Sequence, residues 1–185
     1  MTRLTHPSDI LRIYSPTHWN YTVQNPERAY FAECPTVYEC KEQFRVIDVS
    51  LWLQAQVLAL FGSSASKDKG ISDGIALFCD SFINEVMGYK LSELMLFFAR
   101  YKAGKYDNSF QTFDPRRIGN AFFKEFLPDR QKEIGRFERK KVQEEIENRR
   151  FVPPEGYSSL SWYQELKRRA ASGDKEAEAE LKKAC

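Results

Sequence analysis

The segment Val46–Phe61 limits the possible folds more than any other part of the chain. Apolar residues fill it almost all round, interrupted only by Asp48, Ser50, Gln54 and Gln56. A helix of that kind is buried on every side. It is too short for a membrane span, which needs roughly 18 or more apolar residues in a row. The segment therefore predicts a helix in the middle of a bundle, and the rest of the chain has to supply helices to surround it.

Those helices are readable. Thr36 and Glu39 form a capping box, in which the hydroxyl takes the third amide and the carboxylate reaches back. From Ser72, the residues Ile75, Phe78, Cys79, Phe82, Ile83 and Val86 recur at i, i+3, i+4, i+7, i+8 and i+11, and Gly88 ends the run. Ser92 then serves as an N-cap with Glu93 in the first turn, and Leu94, Met95, Phe97, Phe98 and Tyr101 make one stripe that stops at Gly104. The short connection at Gly88 makes these two helices antiparallel neighbours. Asp114 followed by Pro115 opens another helix, because Pro at the first position lacks only a donor that would be unpaired anyway. Its apolar face is Ile118, Ala121, Phe122 and Phe126, and Pro128 is expected to end or kink it.

The flanks differ in kind. Residues 1–35 hold Pro7, Pro16, Pro26 and Pro35 with no sustained period, which predicts an irregular arm. Its many apolar and aromatic residues predict that the arm packs over the core. Of the 22 residues at 129–150, 14 are charged, which predicts a long, mostly exposed helix with Glu145 and Arg149 at a favourable i, i+4 spacing. Val152, Pro153, Pro154, Glu155 and Gly156 mark a linker over 151–160. Residues 161–185 begin with Ser161 and Gln164 as a second capping box and turn at Gly173 and Asp174 into a helical hairpin. The expected fold is all-α: a bundle of four or five helices over 36–128, with the N-terminal arm, the charged helix and the C-terminal hairpin around it.

The chemistry-bearing residues are sparse. His6 and His18 are the only histidines, and they stand in the Pro-rich arm without the partners of a triad, a Cys–His pair or a metal site at any recognisable spacing. Cys34, Cys40, Cys79 and Cys185 contain no CxxC pair and read as reduced thiols. The run from Gly62 to Gly70 is a surface loop, and no GK[ST] follows it to hold a phosphate. Asp73, Asp80 and Glu85 read as a solvated helix face, as do Arg136, Arg139, Lys140 and Lys141 among their glutamates. The residues predict no enzyme, no cofactor and no metal. No apolar run near the N-terminus suits a signal peptide, so the expected location is cytoplasmic.

The net charge of +2 argues for no polyanionic partner by itself, but 100–117 carries +3: Arg100, Lys102, Lys105, Arg116 and Arg117 against Asp107 and Asp114. Tyr101, Tyr106, Phe110 and Phe113 stand among them. Basic groups with aromatic rings can neutralise phosphates and stack unpaired bases. Arg100, Lys102, Lys105, Tyr106, Arg116 and Arg117 are thus the candidate nucleic-acid site. The bland alternative is that the cations favour a helix C-terminus and the rings close the core. Trp19, Tyr21, Trp162 and Tyr163 are the candidate contacts for a protein partner.

The run SELMLFFARYKAGKY followed by FDPRRIGNAFFKEFL resembles a family of small uncharacterised helical proteins of phages and mobile elements of gut bacteria, over about 35–139. It is more loosely similar to the helical domains of phage helicase loaders. The resemblance implies an all-α fold and a genomic setting, and it carries over no catalytic residue. The function expected from it is a non-enzymatic adaptor acting by protein–protein contact, in DNA replication, with direct nucleic-acid binding through 100–117 as the alternative.

Overall fold

The computed structural model of the chain describes residues 4–62, 68–106, 112–149 and 158–184. Among them the fold is all-α, and the one departure is an isolated antiparallel bridge between Thr36 and Lys90. The chain divides into two compact units, Met1–Ile134 and Gly135–Cys185. No helix of the described residues is long and apolar enough to cross a membrane.

The N-terminal segment is not irregular. It forms α1 (Pro7–Ile13), a 3-10 turn (Pro16–His18), α2 (Trp19–Gln24) and α3 (Pro26–Phe31). The prolines that suggest broken chain start these pieces: Pro7, Pro16 and Pro26 each take a first position, where the missing N–H costs nothing. The segment packs on the core as expected. Trp19 Nε1 donates to Gln56 Oε1 at 2.7 Å, and Gln56 Nε2 and Trp52 Nε1 both donate to the Tyr14 carbonyl, at 2.7 and 2.8 Å. Gln56 is fully buried, so this pairing keeps a polar amide tolerable in an apolar site.

Next come α4 (Val37–Gln43), α5 (Val46–Phe61), α6 (Lys69–Glu85) and α7 (Leu91–Lys102). The Thr36 capping box is present, with Thr36 N–H on Glu39 Oε2 at 2.7 Å and Glu39 N–H on Thr36 Oγ1 at 3.1 Å. Two helix starts differ from expectation. α6 begins before Ser72, because Asp68 caps it by accepting from Ile71 N–H at 3.2 Å. α7 begins before Ser92, because Glu93 reaches back to Lys90 N–H at 3.0 Å, which frees the Ser92 hydroxyl to donate to the Ala29 carbonyl at 2.7 Å. α7 ends as predicted: Gly104 has φ +76°, its N–H reaches the Tyr101 carbonyl at 2.9 Å, and Lys105 N–H reaches the Arg100 carbonyl at 3.0 Å.

The helix in the middle of the first unit is α7. Nine of its 12 residues are buried, and α2, α3 and α5 all pack on it. Phe97 lies among Phe98, Tyr101, Tyr106, Phe122 and Phe126, with ring centroids 5.0 to 6.1 Å apart. The apolar pattern of α5 predicts that position for α5, which does not hold it. Val49, Trp52, Leu53, Val57 and Leu60 face inward, while Val46, Ile47 and Leu51 face water.

Asp114 caps α8 (Pro115–Asn120) by accepting from Arg116 N–H at 2.9 Å. Ala121–Phe126 continues as π-helix, with Leu127 N–H on the Phe122 carbonyl, before α9 (Leu127–Arg149). Pro128 does not end the helix. It is the second residue of α9, directly after the π segment has widened the hydrogen-bond register.

α9 runs from the first unit into the second, where the helix is exposed on nearly all sides. The second unit also contains a hairpin of α10 (Ser159–Ala171) and α11 (Lys175–Ala184). Ser158, not Ser161, caps α10, since Ser161 N–H points to Ser158 Oγ at 3.1 Å. Trp162, Leu166 and Ala177 make its small core, Gly173 turns at φ +89°, and Asp174 caps α11 through Glu176 N–H at 3.0 Å. The expected linker residues up to Tyr157, and the side chain of Arg149, lie outside the described residues.

Candidate interaction surfaces

The sequence places Arg100, Lys102 and Lys105 in one basic cluster with Arg116 and Arg117, but the fold directs the first three elsewhere. Arg100 stands at the C-terminal end of α7 with its side chain only 11% exposed. Its Nη2 lies 2.9 Å from both Glu133 oxygens, and Tyr30 Oη donates to Glu133 Oε2 at 2.7 Å. Burial opposes the Arg100 cation, yet Glu133 and its neighbours hold the guanidinium pKa above the ordinary value. Burial and the bond to Glu133 push the Tyr30 phenol up. Lys102 donates to the Leu60 carbonyl at the end of α5. Lys105 pairs with Asp129 at 2.8 Å and lies 5.3 Å from the Tyr106 ring centre. Tyr106 itself is buried against Phe97 and Phe126.

Arg116 and Arg117 remain exposed on α8, with Arg117 Nε 3.6 Å from Asp114 Oδ2. Phe113 closes the core against Phe61 and Phe78, at 5.8 and 6.0 Å. Phe110 lies outside the described residues. A second buried ion pair parallels that of Arg100: Glu93, 2% exposed, receives Arg130 Nε at 2.9 Å and Nη2 at 2.7 Å. The acidic partners Asp129 and Glu133 sit on α9, outside the span whose charge the sequence counts.

The aromatic residues proposed for a partner divide in the same way. Trp19 is buried on Gln56, and Trp162 is buried in the α10–α11 core. Tyr21 is exposed and accepts from Arg28 Nη1 at 2.5 Å. Tyr163 is half-buried, with Lys167 Nζ 4.7 Å from its ring centre.

A different surface emerges from α5 and α6, which pack as a hairpin. Ile47 and Leu51, one turn apart on α5, are 50% and 47% exposed, and Leu77 on α6 is 73% exposed. Ser50 Oγ donates to Asp80 Oδ1 at 2.6 Å and fixes the level at which the two helices meet. Ile47 lies one turn from Ser50, and Leu77 one turn from Asp80. In antiparallel helices joined at that pair, Ile47, Leu51 and Leu77 fall on the same side of the hairpin. Asp73, Asp80 and Glu85 are exposed on α6, with Asp80 on the side that meets α5. The sequence carries the signal of this face: α5 is apolar on more sides than the bundle covers.

Comparison with known proteins finds no matching family model, curated protein or solved structure.

Proposed function

We propose that this protein is a non-enzymatic adaptor of a phage or mobile element that acts by protein–protein contact, with the replication machinery as its setting. The observation that supports the contact is the exposed apolar side of the α5–α6 hairpin, made by Ile47, Leu51 and Leu77. Large apolar side chains grouped on one face with a polar edge are a common form of protein-docking surface. The partner matching it is an amphipathic helix: its apolar stripe meets Ile47, Leu51 and Leu77, and basic residues beside the stripe complement the exposed acids of α6. The setting rests on the resemblance of the helix ending in KAGKY and its successor.

Affinity capture of the tagged protein from host lysate, with and without nuclease, tests this reading. A stoichiometric protein partner that survives nuclease is the expected result. Recovery that collapses on nuclease treatment, with nucleic acid in the untreated eluate, would replace it with direct nucleic-acid binding. That alternative keeps Arg116 and Arg117, with Lys102 and Lys105, as its exposed cations, since Arg100 is largely buried on Glu133.

A further inference from the structure

A cavity of about 570 Å³ opens in the first unit between α1, α2, α3 and α7, within the size range of small-ligand pockets. Its walls include Ile13, Ala29, Ala32 and Met95 and the side chains of Tyr14 and Tyr21. Most of the surface is therefore suited to an apolar body.

The polar groups on the lining define what that body carries. His18 Nδ1 lies 3.0 Å from the Ile13 carbonyl. A carbonyl only accepts, so Nδ1 holds the proton and Nε2 of the neutral ring is an acceptor. Thr22 and Ser92 use their hydroxyl protons on the carbonyls of His18 and Ala29, at 3.1 and 2.7 Å, and keep oxygen lone pairs. Asn25 Nδ2 donates to the Tyr21 carbonyl at 2.9 Å, which fixes its amide orientation and leaves Oδ1 to accept. Glu33 adds a carboxylate. Against these acceptors, Arg28 is the strongest donor, with one N–H already on Tyr21 Oη. Arg28 and Glu33 also cancel in charge, which favours a neutral occupant.

We infer that this cavity binds a small, neutral, mainly apolar molecule bearing a carboxamide, whose two N–H groups meet two of the acceptors that His18, Thr22, Asn25 and Ser92 offer while its C=O faces Arg28. The site is separate from the α5–α6 surface and does not depend on the adaptor reading.

Benzamide, benzoate and N,N-dimethylbenzamide are the probes, titrated against the full chain by protein-observed NMR. Benzamide is expected to bind, and the other two about tenfold or more weakly, because neither offers an N–H donor and benzoate also adds a charge. Ala32 is exposed and lines the cavity, so Ala32→Trp is expected to abolish benzamide shifts while the spectrum of the fold persists. A second measurement needs no cavity variant. In a Cys185→Ser chain, Cys34 is the reactive thiol, since Cys40 and Cys79 are fully buried. Cys34 lines the cavity, and saturating benzamide is expected to slow its alkylation by iodoacetamide. Benzoate or the dimethyl amide binding as well as benzamide would overturn the donor argument. Absence of benzamide binding, or an unchanged Cys34 rate at saturation, would overturn the site.

Discussion

Replacing Glu133 by Gln tests how the three parts of the first unit are held together. Glu133 receives both Arg100 on α7 and Tyr30 on α3, and the side chains of Arg100 and Glu133 are 11% and 19% exposed. Gln keeps the size and one acceptor but removes the charge, so Arg100 stays largely buried without its counter-ion. Removing one partner of a fully buried pair costs about 3–5 kcal/mol, and the residual exposure here reduces that to about 2–3 kcal/mol. For a unit of this size the melting temperature falls by about 3–5 °C per kcal/mol, giving about 6–15 °C. Thermal melts of the wild type, Glu133→Gln, Arg100→Met and the Arg100→Met/Glu133→Gln double variant form a cycle. The double variant is expected to lose less than the sum of the single ones, because no charge is left buried. A Glu133→Gln melting temperature within about 2 °C of wild type, or strict additivity, would refute the claim that this pair clamps α7 to α9.

Three further outcomes follow from the same geometry. Gln56→Leu leaves the Trp19 indole N–H without its acceptor and is expected to cost about 1–3 kcal/mol by chemical denaturation; a cost near zero would mean the N-terminal segment is not held by this bond. Burial raises the Cys40 thiol from 9.0 to about 12 and raises Cys79 as well. Below pH 9 both states keep these protons; from pH 9 to 12 the unfolded chain loses them while the native one retains them, so stability falls by up to ~1.4 kcal/mol per pH unit for each thiol. A melting temperature flat across that window would contradict the burial. Arg116→Ala/Arg117→Ala is expected to leave stability unchanged to within about 0.5 kcal/mol, since both side chains are exposed. The same pair of substitutions abolishes salt-dependent nucleic-acid binding if the alternative function holds, as a gel-shift series at rising salt would read out.

Local signals in the sequence locate much of the fold. The Thr36–Glu39 box, the Gly104 turn, the Asp114–Pro115 start and the Asp174 cap all form, because each is decided by groups within a few residues. Errors arise where distant residues compete. Ser92 looks like a cap until the Ala29 carbonyl, 63 residues away, takes its hydroxyl. The charge of 100–117 looks unbalanced until α9 brings Asp129 and Glu133 beside Lys105 and Arg100. The prolines of the N-terminal segment look like breakers because their position within a turn is invisible in composition. The cavity between α1, α2, α3 and α7 has no local sequence signature at all.

α5 shows the most informative mismatch. Its all-round apolar pattern predicts burial on every side, and the first unit leaves Val46, Ile47 and Leu51 exposed. The central claim is that a partner covers the apolar face to which Ile47 and Leu51 belong. The measurement that addresses it most directly is affinity capture with an Ile47→Asp/Leu77→Asp variant beside the wild type, each checked by thermal melting. Both residues are exposed, so the variant is expected to melt with the wild type and to lose the nuclease-resistant partner. Retention of that partner at wild-type stoichiometry by a normally folded variant would contradict the account.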